Sequence, residues 1–198
     1  MDFSFRAIMG LVQETVITPR LAARRIMAMG LGADFAWMAL FLMAVGSAFL
    51  THLSFALSPA PMQEMLGGLM ASPIRTAIVQ GMVMVVSVFL VHRMGLIHST
   101  RKASFAEAIL LVTWLQFVLL CAQLLQIVAL LILPPLSDVI GLAGLVVFFW
   151  VLANFVTELH GYRSVFLSFL AVFALLVLMG VLLAILLTIF VGPIPGGA

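Results

Sequence analysis

Long uncharged runs separated by short clusters of charge, proline and glycine set the pattern of the chain. A helix needs about 20 consecutive apolar residues to cross a hydrocarbon core about 30 Å thick. Five runs meet that length, at about 35–57, 73–91, 104–133, 137–157 and 163–191. Local chemistry marks their ends. Ser72-Pro73 offers a cap followed by proline at a first helical position, where the missing N–H costs nothing. Ser104 and Glu107 have capping-box spacing. Pro134-Pro135 stops the third run, and Ser137-Asp138 is expected to start the fourth with a cap and a charge suited to the positive dipole end.

Residues 1–33 are too charged to span. Phe3, Phe5, Ile8, Met9, Leu11, Val12, Val16 and Ile17 recur at spacings that predict an amphipathic helix half sunk in the membrane interface. Thr18-Pro19 predicts a second helix start, with Arg20 and Arg24 on one face at i, i+4. The expected organisation is a cytoplasmic interfacial segment, 1–33, followed by a five-helix transmembrane domain, 34–198. The loop 58–72 is expected to hold a short helix broken at Gly67-Gly68, and the chain closes on a Gly/Pro tail from Gly192. The connections 134–136 and 158–162 are so short that the third, fourth and fifth runs are expected to be sequential antiparallel neighbours in an all-α bundle. No internal repeat supports an inverted-repeat transporter.

Composition agrees with this picture and narrows it. Of the 198 residues, 65% are hydrophobic and only 8% charged, too little polar surface to coat a soluble globule. Nucleic-acid binding is excluded with it, since nine basic residues make no binding face. The single cysteine, Cys121, admits no intrachain disulfide and reads as an apolar filler. Asp2, Arg6 and Glu14 interrupt the stretch where a cleavable signal peptide would need an unbroken apolar core.

Charge also orients the chain. With five spans, Arg6, Arg20, Arg24, Arg25, Arg93, Arg101, Lys102 and Arg163 fall on one side and Arg75 alone on the other. The positive-inside rule makes the first side cytoplasmic, so the N-terminus is expected inside and the C-terminus outside.

Candidate chemistry is sparse. No charged residue lies mid-span, unlike proton relays and ion pathways. Thr113, Gln116, Gln123 and Gln126 form a polar stripe on the third span, with Gln80 on the second and Asn154 on the fourth. They are read as interhelical hydrogen-bonding groups or, alternatively, as a polar groove for a headgroup or small solute. Ala44 and Ala48, and Gly180 and Ala184, have the small-residue spacing of close helix contacts. Trp37 and Tyr162 read as interface anchors, and Trp114 and Trp150 as deeper packing residues. Arg20, Arg24, Arg25, Arg101 and Lys102 are the basic candidates for contact with anionic lipid or an acidic partner.

His52, His92, His98 and His160 share no metal-binding spacing. Glu158 and His160, in the last connection, are expected to face water. No phosphate-cradling loop or nucleophile elbow occurs. No catalytic residue, metal or cofactor is expected.

The basic segment around Thr18-Pro19-Arg20, the five runs, the approach Ala103-Ser104-Phe105-Ala106-Glu107-Ala108 and the junction Phe149-Trp150-Val151-Leu152 through Leu159-His160-Gly161-Tyr162-Arg163-Ser164 together resemble the bacterial branch of the Yip family, named for interaction with Ypt/Rab GTPases. The resemblance implies a five-helix bundle, N-in and C-out. For eukaryotic relatives it implies Golgi and endoplasmic-reticulum membrane organisation. Those relatives carry a long cytoplasmic N-terminal region where this chain has 33 residues before its first span; no catalytic residue carries over. The expected function is a non-enzymatic, multi-pass protein of a bacterial inner membrane, a scaffold or membrane-organising factor. Its expected partners are the bilayer and other membrane proteins or copies of itself. The alternatives are a small-solute or lipid carrier, an accessory subunit of a larger complex, and an interface enzyme using His92, His98 or His160.

Overall fold

The computed structural model describes residues 4–58, 63, 72–98 and 100–191. The expected helix around Gly67-Gly68 and the tail from Gly192 lie outside these residues. Among the described residues there are seven helices: α1 (Phe5–Ile17), α2 (Pro19–Ala28), α3 (Ala33–Ala56), α4 (Pro73–His98), α5 (Phe105–Ile132), α6 (Pro134–His160) and α7 (Val165–Val191). Four of them, α3 to α6, are long and apolar enough to cross a membrane, and the start of α7, Val165–Val177, is also apolar.

Local sequence explains most of the boundaries. Ser104 accepts from the Glu107 amide while the Glu107 carboxylate accepts from the Ser104 amide, completing the capping box. Ser72 accepts from the Arg75 amide at the head of α4, and Pro19 occupies the first position of α2. The expected start of the fourth helix is corrected. Pro134 and Pro135 open α6 instead of lying in a turn before it, because neither needs an N–H in the first turn. Ser137 is therefore inside the helix and buried rather than capping it.

α5 is the central helix, packed against α3, α4, α6 and α2; α7 lies on α6, and α3 carries α4. The third to fifth long helices are thus sequential neighbours. The core is concentrated at one end, among Ala36, Leu40, Val88, Val91, Ala108 to Leu115 and Val151 to Leu159. Toward the other end, Leu124, Leu131, Ile132, Val139, Leu142 and Leu145 are exposed. Among the described residues there, Leu50, Leu120 and Ile127 form a small second cluster, with Met43 half-buried beside it. Apolar side chains facing outward over that much helix suit hydrocarbon, not water.

α1 and α2 form a hairpin against the well-packed end. The buried side chains of α2 are Pro19, Ala22, Ala23 and Ile26, spaced as one helical stripe. That stripe meets α6 and α5.

Candidate functional site

The ion pairs of the described residues gather at the end where the α1–α2 hairpin, the 100–104 connection and the α6–α7 turn meet. Glu158, in the last turn of α6, receives Arg20 Nε at 3.0 Å and Arg24 Nε at 2.6 Å. Its side chain is 13% exposed, so removing either charge leaves a carboxylate short of solvent. Hydrogen bonding to Glu158, with its charge, raises the already high pKa of Arg24 further. Arg25 pairs with Glu14 of α1 at 2.7 Å. Arg101 pairs with Glu107, donates to the Leu159 carbonyl and reaches the Met27 sulfur. Four of the five basic candidates are therefore paired within the fold, while Lys102 is exposed.

The α6–α7 turn is the joint of this end. Gly161, at φ 68°, supplies the left-handed residue that ends α6. A Cβ there would meet Thr100 Oγ1 at 2.4 Å. The amides of Thr100 and Arg101 both donate to the His160 carbonyl. His160 does not face water: it is 1% exposed. Its Nε2 donates to the Val91 carbonyl at 2.8 Å, and its ring lies so close to Gly95 that a Cβ there would be 2.4 Å from Nδ1. Tyr162 donates its hydroxyl to the Met94 carbonyl, and burial pushes its pKa up, keeping it a donor at neutral pH. Thr157 and Ser168 share a buried hydroxyl contact between α6 and α7. These bonds tie α4, α6, α7 and the 100–104 connection into one knot.

Two tryptophans have partners that the sequence pattern does not reveal. Trp114 donates to Thr15 Oγ1 at 2.8 Å and Trp150 to the Val16 carbonyl at 3.1 Å. Trp114 lies about 13 Å along α5 from its first residue at 1.5 Å per residue. The C-terminal end of α1 is thus pinned against the side of the bundle. Trp37, by contrast, stacks on Phe41 and leans on Phe105.

The polar stripe is dispersed among separate contacts. Gln116 donates to Ser47 at 3.1 Å and Gln80 to Thr51 at 3.1 Å, linking α5 and α4 to α3. His52 meets Thr76 at 3.0 Å between α3 and α4. Gln126 lies over Gly141 of α6. Asn154 donates to the Trp150 carbonyl on its own helix. Thr113 is buried with no protein partner for its hydroxyl, and Gln123 is half-buried. Close helix approach occurs at Ala44, whose Cβ lies 3.8 Å from the Cβ position of Gly81.

No catalytic or metal constellation is assembled among the described residues. Glu107 is occupied by Arg101 and the Ser104 amide, His92 stands edge-on to Phe105, and no three His, Cys, Asp or Glu side chains converge.

A bundle of long apolar helices, cross-linked by amides and hydroxyls and knotted at one end by arginine–carboxylate pairs, defines an integral membrane protein. The Yip1 domain family model matches residues 14–186, so the chain belongs to the Yip family. The match begins in the last turn of α1 and ends inside α7, so it takes in α2 and the knot. No curated protein and no solved structure matches the chain.

Proposed function

We propose that the chain is a non-enzymatic organiser of a bacterial cytoplasmic membrane. It spans the bilayer five times, N-terminus inside and C-terminus outside, and works through contacts with lipid and with other membrane proteins or copies of itself. The observation that carries this reading is how the polar groups are used. Carboxylates at the basic end hold arginines, and Gln80 and Gln116 hold neighbouring helices. What remains for outside partners is a broad apolar flank and a basic rim.

The length and composition of α7 support a fifth crossing, at 27 residues. The eight-to-one distribution of basic residues supports the orientation. Exposed Phe5, Ile17 and Leu21 beside Arg20 and Arg24 support a hairpin lying at the interface. A solute carrier is less favoured, since Gln80, Gln116 and Asn154 point to separate partners instead of lining one passage. An accessory subunit is the same mode of action with a fixed partner.

Extraction in a mild detergent followed by native mass analysis tests the proposal. The expected particle carries a second chain, another membrane protein or retained lipid. A bare monomer under every extraction condition would contradict it.

A further inference from the structure

α7 packs on α6, and a cleft runs between α7 and α4. The cleft has a volume of about 840 Å³. The mouth is at the knotted end and is formed by Thr100, Gly161, Tyr162, Arg163 and Ser164. Beyond it the walls turn apolar, with Leu167, Ala171, Ala174 and Leu175 on one side and Met94 on the other. Leu175 also borders a narrower crevice of about 210 Å³ that continues inward between Met84, Leu90, Val172 and Leu176. From Val165 to Leu175 the cleft follows α7 for about 15 Å at helical rise. One leaflet of a hydrocarbon core about 30 Å thick is about 15 Å deep.

We infer that this cleft is a binding site for one anionic glycerophospholipid of the cytoplasmic leaflet, its phosphate at Arg163 and an acyl chain along Ala171, Ala174 and Leu175. The polarity of the cleft follows that of such a lipid: one cation at the interfacial mouth, then carbon for the depth of a leaflet. Arg163 is exposed, and among the described residues no carboxylate pairs with it, whereas Arg20, Arg24, Arg25 and Arg101 are each taken by one. The mouth hydroxyls have internal roles: Thr100 donates to the Gly161 carbonyl, and Ser164 accepts from the Leu167 amide. Among the residues that line the cleft, the charge left for a ligand is that of Arg163. Basic pockets between membrane helices on the cytoplasmic side are suited to anionic headgroups. The room exists because α7 places alanine, not a larger residue, at two successive turns facing the gap.

The inference rests on the proposed orientation for the leaflet, but not for the binding itself. The full chain in mild detergent is incubated with phosphatidylglycerol or phosphatidylcholine, and bound lipid is counted by native mass spectrometry. Wild type is expected to retain one phosphatidylglycerol in preference to phosphatidylcholine. Arg163→Gln, an exposed change that leaves the helices intact, is expected to weaken phosphatidylglycerol retention about fivefold, the effect of one basic residue near a membrane surface, and to leave phosphatidylcholine unchanged. A variant carrying Ala171→Trp and Ala174→Trp, both at exposed positions, is expected to lose both lipids while keeping its helical content. Equal retention by Arg163→Gln, retention by the double tryptophan variant, or a protein chain occupying the cleft in place of lipid would overturn the assignment. Labelling that places residue 163 outside would remove the orientation and leave the lipid site standing. Correct labelling with failed lipid binding would remove the lipid site alone.

Discussion

At the scale of single residues, the decisive positions are those where a small residue makes room for a large one. His160 fills the space over Gly95, and its ring bonds the carbonyl of Val91 one turn earlier. Gly95→Ala would push a methyl group into a ring that has no exposed side to retreat toward. The expected cost is about 1–3 kcal/mol, as for other overpacked cores, read as a lower thermal midpoint in detergent. Gly10, with nothing within 4 Å of its Cβ position, is the control: Gly10→Ala is expected to be neutral or to stabilise α1 by up to about 1 kcal/mol. A Gly95→Ala protein as stable as wild type would show that His160 is not held as described. The sequence gives no sign of this pair, because 65 residues separate its members and Glu158-Leu159-His160 by itself looks like a solvated turn.

At the scale of elements, the α1–α2 hairpin is held by contacts of two kinds. Indole N–H groups of Trp114 and Trp150 fix the end of α1, and Glu158 receives two arginines of α2. Glu158→Gln removes the charge that both arginines meet. Faster amide hydrogen exchange is expected across residues 5–28, with α5 and α6 unchanged. Unaltered exchange in the hairpin would mean that packing of Ala22, Ala23 and Ile26 alone holds it. The helices themselves were legible because their signals are local: an apolar run of sufficient length, Ser104 with Glu107, proline after Thr18. The start of α6 is ambiguous for a local reason too, since Pro134-Pro135 serves equally as a stop for α5 and as the opening turn of α6. The pairing of Arg20 and Arg24 with Glu158 was not legible. Two arginines on one helical face are the same pattern whether they meet lipid or a carboxylate more than 130 residues away.

At the scale of the whole molecule, the bundle is asymmetric along its length. One end is tightly packed and carries the ion pairs, and the other spreads apolar side chains outward. That asymmetry gives the Yip-family fold a rigid basic end, where the hairpin and the proposed lipid cleft lie, and an apolar flank for neighbours in the bilayer. The same side-to-side imbalance of charge was visible in the sequence. The depth of packing at one end was not, because apolar residues facing lipid and apolar residues facing a core are alike in composition. The central claim is the placement of this basic end in the cytoplasm. Single cysteines introduced by Lys102→Cys and by Leu133→Cys in a Cys121→Ser background, probed in intact cells with a membrane-impermeant maleimide, test it most directly. Position 133 is expected to label from outside and position 102 only after permeabilisation; labelling of position 102 in intact cells, with position 133 protected, would place the basic end outside.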